Sequence, residues 1–458
     1  MVPLIELSRF EIARIEGGRV NAHRKQLIAL AHPVYLSLLA SVAAGVINTV
    51  WVSRLGGDAV AAVAVATNTE NVLLGVALVF ASGTTVLVAH ARGARDPGAV
   101  RAAVRGGWAL CAAVTPVTAL GGYLLREPLA RLVLGGDGRA LTLAVQYFAV
   151  SLPGIAVFFA QTLVDGILKG TGDTRTPMRL ALLANGLILG LDPFLIHAYG
   201  VRGAALSTVL CRSVTLVVGL RALRRNTLLS EAATAIPAET TGAALRRTLG
   251  TGLPMSADFT VRQGGALALV AIVARLGTTA VAAYAIAYKV MYIATMAFYS
   301  VRQAASIHTA HTRGAGRDER GAIGRQAVLV SGTVGLLAAG LLCALAPWIM
   351  RAFGAGPAVA HDGVLFLRCV GPYLLLMACF IALGGVFEGS GGAPVLLRVT
   401  LTGTAVQLPV ALALSGLGLP GVCLALALSM TVQCAALWLW TRRIRRQEDA
   451  RVSLVRAA

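Results

Sequence analysis

Residues 51–94 read WVSRLGGDAVAAVAVATNTENVLLGVALVFASGTTVLVAHARGA. Between Asp58 and His90 the only charged side chain is Glu70. A helix needs about 20 mostly apolar residues to cross the hydrocarbon of a bilayer, and this run is longer. It does not alternate apolar and polar as a barrel strand does. A helix also satisfies its own backbone where no water can, so the run predicts a membrane-spanning helix. Turn chemistry bounds it, with Gly56-Gly57-Asp58 before and Arg92-Gly93-Ala94 after.

The same stretch occurs twice. Arg54-Leu55-Gly56 returns as Arg275-Leu276-Gly277, Ala61-Ala62 as Ala282-Ala283, and His90 with Arg92-Gly93-Ala94 as His311 with Arg313-Gly314-Ala315. Pro33 returns as Pro254. All keep one offset of 221, and Gly166 and Gly170 return at 219 as Gly385 and Gly389. Chance similarity between Ala/Gly-rich helices would not hold register over such a distance.

Working outward, twelve such runs are legible: 27–52, 59–90, 100–124, 141–168, 177–199, 203–223, 249–273, 280–310, 322–346, 357–387, 393–414 and 419–441. Each half therefore holds six spans. An even number returns the chain to its starting side, so the halves share one orientation and a parallel pseudo-two-fold repeat is expected. The predicted fold is an all-α polytopic membrane protein of twelve transmembrane helices in two six-helix bundles. The parts are an N-terminal cytoplasmic segment (1–26), a first bundle (27–223), a linker (224–248), a second bundle (249–441) and a basic tail (442–458).

Composition agrees. Of 458 residues 57% are hydrophobic and only 13% charged, against about 25% charged in a soluble domain. A cytosolic enzyme, a disulfide scaffold and a disordered chain are excluded. The net charge of +20 would suggest nucleic acid in a soluble protein. Here the basic residues fall in the gaps between spans. With the N-terminus inside, 28 lie on the inner side and 7 on the outer, which predicts two cytoplasmic termini and no nucleic-acid partner. The seven cysteines lie in apolar runs without a CxxC pair and read as small hydrophobes. No GxxxxGK[ST] phosphate loop and no HExxH or GxSxG motif occurs, so neither an ATP-driven pump nor an enzyme is expected. Neither a metal nor an organic cofactor is expected. Arg442 to Arg446 hold four arginines, an anchor for anionic lipid at the cytoplasmic face.

Charges at membrane depth are costly and ask for a reason. Asp192 lies mid-span before Pro193, where helical geometry is disfavoured and carbonyls are freed. It reads either as a titratable coupling group or as a carboxylate bonding local backbone. Asn185 is seven residues earlier, about two turns along the same face. Glu70 stands in the polar cluster Thr67-Asn68-Thr69-Glu70-Asn71. It reads as a second titratable group or substrate contact together with Asn68 and Asn71, or as the counter-ion of a cation such as Lys289. Asp258 and Arg262 are four apart, the spacing of a helical ion pair, and either pair with each other or line a cleft. Arg302 and Arg368 either bind an anionic group or snorkel. Arg212 reads as a structural charge. His90, His308 and His311 read as packing near span ends.

Several stretches resemble the multidrug and toxic compound extrusion (MATE) family: Pro33 to Ala64 with its NTVWVSRLGGDAVAAVA, GILKGTGDTRTP (Gly166 to Pro177), Leu191-Asp192-Pro193, Gly252-Leu253-Pro254, GVFEGSG (Gly385 to Gly391), Leu408-Pro409 and GLGLPGV (Gly416 to Val422). The resemblance covers nearly the whole chain. It implies secondary transport, the export of bulky cationic or amphipathic molecules against inward H+ or Na+. Asp192 falls on the family's fifth-span aspartate, implicated in cation coupling. The family's first-span aspartate falls on Asn48, which can ligate a cation but cannot carry a proton. The acids that one branch carries in spans seven and ten fall on Arg262 and Met377. This points to the DinF-like branch.

The expected function is therefore a monomeric exporter of a small organic compound, a drug or the cell's own metabolite, in a bacterial plasma membrane. It would work by alternating access and be driven by H+ rather than Na+. The competing readings are a lipid-linked precursor flippase of the same superfamily, whose pyrophosphate would need the cations Arg262, Lys289, Arg302 and Arg368, and a family member that has lost coupling.

Overall fold

A computed structural model describes residues 9–135 and 138–457, with side chains from Asn21 to Arg442 apart from positions 136 and 137. Residues 1–8 of the N-terminal segment and Ala458 of the tail lie outside that description, as do the side chains of the tail beyond Arg442. Every regular element among the described residues is helical. The first half comprises α1 (Arg9–Ser53), α2 (Gly57–Gly93), α3 (Pro97–Leu124), α4 (Arg126–Leu134), α5 (Arg139–Ser151), α6 (Ile155–Gly170), α7 (Arg175–Tyr199) and α8 (Val201–Arg225). The short α9 (Thr227–Thr234) lies in the linker. The second half comprises α10 (Thr241–Ala274), α11 (Thr278–Gly314), α12 (Arg320–Ala352), α13 (Pro357–Cys369), α14 (Gly371–Gly389), α15 (Ala393–Ala413) and α16 (Leu419–Ala457).

Eleven helices are long and apolar enough to cross a membrane, and α5 with α6 make a twelfth as a pair bent by 55°. The bend falls at Leu152-Pro153-Gly154, where proline removes a backbone donor and its ring clashes with a continuing helix. The expected span 357–387 divides likewise at Val370, two residues before Pro372, into α13 and α14. Turn signals act as read. Asp96 caps α3 by accepting from the Ala99 N–H at 3.0 Å, with Pro97 at the first helical position.

The repeat is written into the turns. Left-handed φ occurs at Gly56 and Gly277, Arg95 and Gly316, Gly135 and Gly354, Gly172 and Gly391, and Gly200 and Gly418. Each first-half position has its second-half counterpart, at offsets running from 221 to 218. Among the described residues Arg95, with φ 54°, is the one non-glycine with positive φ.

Helix crossings repeat too. Apolar contact gives little drive for helix association inside lipid, so close approach relies on small residues. Gly166 and Gly170 press on α2 so closely that a β-carbon would stand 2.8 Å from the carbonyl oxygens of Ala81 and Thr85. Gly385 and Gly389 press in the same way on the carbonyls of Arg302 and Ser306 of α11. The Thr85 hydroxyl also donates to the Gly166 carbonyl at 2.9 Å.

The chain divides into two compact units, one of Met1–Ala31, Val261–Thr309 and Glu319–Ala458, the other of His32–Thr260 and Ala310–Asp318. These differ from the expected bundles 27–223 and 249–441 at matching places. Leu27 and Ala31, at the start of the first span, pack against Val301, Ala304, Ala305 and Ile323. Gly252, at the start of the seventh, lies against the Val79 carbonyl of α2, and the Ser256 hydroxyl donates to the Gly75 carbonyl at 2.6 Å. The first helix of each repeat begins in the other repeat's unit. Each long helix, α1 and α10, therefore serves both units, a division invisible to hydropathy.

Candidate functional site

The unit running from His32 to Thr260 gathers the polar side chains of α1, α2, α5, α7 and α8. Helices α7 and α8 form a hairpin, tight because Gly203 lies against the Leu195 carbonyl. That crossing brings Asp192 of α7 opposite Ser207 of α8. Asp192 and Ser207 are both fully buried. The carboxyl group lies beside the Ser207 hydroxyl and the Asn48 side chain of α1. Neither oxygen of Asp192, nor the hydroxyl oxygen of Ser207, has a partner at hydrogen-bond geometry. Pro193 does not break α7, which runs continuously from Arg175 to Tyr199. It only removes one backbone donor within that helix.

Asn185 uses its Nδ2 on the Ala181 carbonyl at 2.8 Å, leaving its buried Oδ1 without a partner. Glu70 pairs with Arg212 of α8 at 2.9 Å, not with Lys289. The pair is part-exposed, at 24% for Glu70 and 27% for Arg212. The Arg212 guanidinium also stacks over the Phe158 ring at 4.6 Å, a cation–π contact. A recess of about 10 Å³, lined by Thr69, Glu70, Phe148, Ser151, Phe158 and Arg212, has room for roughly one water. The buried Tyr147 of α5 lies beside Thr208 and within electrostatic reach of Glu70, Arg212 and Asp192. Asn68 and Asn71 are exposed on α2.

The other unit treats its charges differently. Arg302 is buried, and its Nη2 donates to the Glu388 carboxylate of α14 at 2.6 Å. It is a structural ion pair and not a cleft cation, because a charge that deep stays only when matched. Arg262 lies half-buried over the Tyr299 ring at 5.7 Å. Lys289 and Arg368 are exposed, and Met377 is buried in the apolar core. Asp258, on α10 in the unit that runs from His32 to Thr260, is fully buried. Of the histidines, His308 meets His23, with Nε2 and Nδ1 2.9 Å apart.

The MatE family profile matches residues 33–194 and 254–413, well over half of the sequence and once in each repeat. The chain belongs to the MATE family. The probable multidrug resistance protein NorM of Thermotoga maritima is 26% identical over 401 residues, 85% of either protein. The DNA damage-inducible protein F of Escherichia coli is 28% identical over 207 residues, 44% of either. A solved structure described as the outward-facing conformation of a multidrug resistance MATE family transporter is 22% identical and covers 92% of this chain and 95% of its own, with a TM-score of 0.84.

Within this MATE fold, sequence reasoning reached Asp192, Asn48, Asn185 and Glu70. It missed Ser207, Tyr147 and Glu388. Ser207 and Tyr147 sit in runs that read as ordinary helix, and only the α7–α8 hairpin and the bent α5–α6 span bring them to the acid. Glu388 had a signal: an acid inside the glycine-rich GVFEGSG, one residue past the expected span end at 387, in a stretch that reads only as part of the family resemblance.

Proposed function

We propose that this MATE protein is a proton-driven exporter of amphipathic organic compounds, acting as a monomer by alternating access in a bacterial plasma membrane with both termini cytoplasmic. One observation carries the reading: a fully buried carboxyl group, Asp192, whose two oxygens have no partner. An isolated carboxylate at membrane depth is costly and needs a proton or polar partners. A proton settles that group, and its loss leaves a charge that the neighbouring Ser207 hydroxyl, the Asn48 amide and water entering the unit must solvate. Asn48 supplies a ligand but no second proton, so the site carries one proton at a time. Glu70 pairs with Arg212 at 2.9 Å and acts beside the site by tuning its field. Sodium would find oxygen ligands in the same trio, yet a single carboxylate favours the proton. The flippase reading loses one of the cations it needs, since Arg302 is spent on Glu388.

The test is dye efflux from proteoliposomes under an imposed pH gradient, then a Na+ gradient, with Asp192→Asn beside the wild type. Efflux driven by the pH gradient and abolished by the substitution is the expected result. Efflux that survives it removes Asp192 from coupling.

A further inference from the structure

Helix α11 carries a tyrosine ladder. Tyr284, Tyr288 and Tyr292 are spaced four apart, which stacks them along one face of a helix. The rings follow suit: Tyr284 and Tyr288 are 6.0 Å apart and stacked at 27°, and Tyr288 and Tyr292 are 6.4 Å apart at 33°. Tyr284 is anchored edge-on against Phe366 at 5.4 Å and buried, while Tyr288 and Tyr292 are each 40% exposed. Tyr299 and Tyr373 of α14 lie within electrostatic reach of the ladder, and Arg262 within reach of Tyr373.

This face is at membrane depth. Tyr288 is 11 residues past Gly277, about 17 Å along the helix, and Arg262 is 13 residues before Arg275, about 20 Å. Hydrocarbon about 30 Å thick does not receive a row of phenols, an arginine and a lysine, so the face meets water. Its charge is positive. Helix α11 holds no Asp or Glu, and α14 holds only Glu388, matched to Arg302. Arg262 has Asp258 one turn earlier on its own helix. Lys289, exposed beside the ladder between Tyr288 and Tyr292, remains in excess.

We propose that this face is the substrate-selecting surface, and that it takes planar aromatic compounds bearing an acidic group. The exposed phenol rings of Tyr288 and Tyr292 offer stacking area at little entropic cost, and Lys289 supplies the charge that an organic anion needs and an organic cation avoids. The proposal rests on the exporter reading, whose expected substrates it narrows from cationic or amphipathic molecules to aromatic anions.

A matched pair of probes tests it. Fluorescein and rhodamine 6G share a xanthene ring system and differ in charge. Binding of each to the purified full-length protein is read by fluorescence anisotropy without any gradient, and efflux is read separately in proteoliposomes. Fluorescein is expected to bind at least about tenfold more tightly than rhodamine 6G, the equivalent of ~1.4 kcal/mol. Lys289→Gln should remove most of that preference. Tyr288→Leu with Tyr292→Leu should weaken both probes about tenfold, and Tyr288→Phe, which keeps the ring, should stay within about twofold. Thermal melting of each variant confirms that it folds. Tighter binding of rhodamine 6G by the wild type overturns the proposal. So does a Lys289→Gln variant that keeps the preference, or ladder variants that fold and bind as the wild type does. Fluorescein that binds with the expected pattern but is not exported upholds the surface and removes the exporter reading. Gradient-driven export of rhodamine 6G without fluorescein binding does the reverse.

Discussion

The two repeats share a backbone plan down to their left-handed turns and glycine crossings, yet they hold opposite chemistries. On α2 stand Thr67, Asn68, Glu70 and Asn71, and the α11 positions 221 residues on are Tyr288, Lys289, Met291 and Tyr292. The partner of Glu70, Arg212, falls at the 218 offset on Met430, so an ion pair in the first repeat is two buried methionines in the second. The reverse holds nearer the basic ends of the spans. There Arg302 and Glu388 pair in the second repeat, where the first has Ala81 and Lys169, the latter beside Asp165 one turn earlier. Helix α7 carries Asp192, whereas α15 carries no acid at all. Duplication supplied two copies of a scaffold held by glycine crossings. Because the crossings use main-chain contacts, the side chains around them were free to diverge, one repeat towards a buried acid and the other towards an aromatic and cationic face.

The sharpest way to break this comparison is through the two ion pairs. Side chains in the Arg302–Glu388 pair are only 5% and 8% exposed. Glu388→Ala strands a buried guanidinium and should cost roughly 3–5 kcal/mol, read as a collapse of the melting temperature in detergent. Replacing both members, Arg302→Met with Glu388→Met, should recover most of that loss, as a buried pair exchanged for apolar side chains of similar size commonly does. If Glu388→Ala melts as the wild type does, the pair is not structural and Arg302 returns as a candidate substrate contact.

Glu70→Gln makes the matching change in the other repeat with a smaller effect. Its pair is part-exposed, and Arg212 keeps the Phe158 ring and the water-sized recess. The expected cost is about 1 kcal/mol or less. Transport should change more than stability does, because Glu70 and Tyr147 share the electrostatic surroundings of Asp192. A melting loss as large as that of Glu388→Ala would show that the two pairs do the same structural work.

The partners in these pairs mark where sequence reading stopped. Twelve spans, their turns and the repeat were legible, since hydropathy, glycine and proline are local signals and the offset is a property of the string. Asp192 was legible because a charge in a span is rare. The partner of Glu70 was not, for Arg212 lies 142 residues away and Lys289 had an equal claim on charge alone. Nor was the tyrosine ladder, whose members look like ordinary apolar positions until the helix places them on one face. The sharing of α1 and α10 between units also escaped, because an apolar helix carries no mark of which bundle covers each of its turns.

The smallest prediction concerns a turn. Arg95 holds φ 54° where its counterpart Gly316 holds 73°. A left-handed conformation costs an L side chain about 1–2 kcal/mol that glycine avoids, against the greater flexibility glycine gives the unfolded chain, about 0.4–1 kcal/mol. Arg95→Gly should therefore raise stability by a few tenths to about 1 kcal/mol, and Gly316→Ala should lower it by a similar amount. Paired melting curves decide it. If Arg95→Gly lowers the melting temperature, the arginine earns its strained backbone through its charge at the basic end of the spans, and this turn joins the places where the repeats have parted in role.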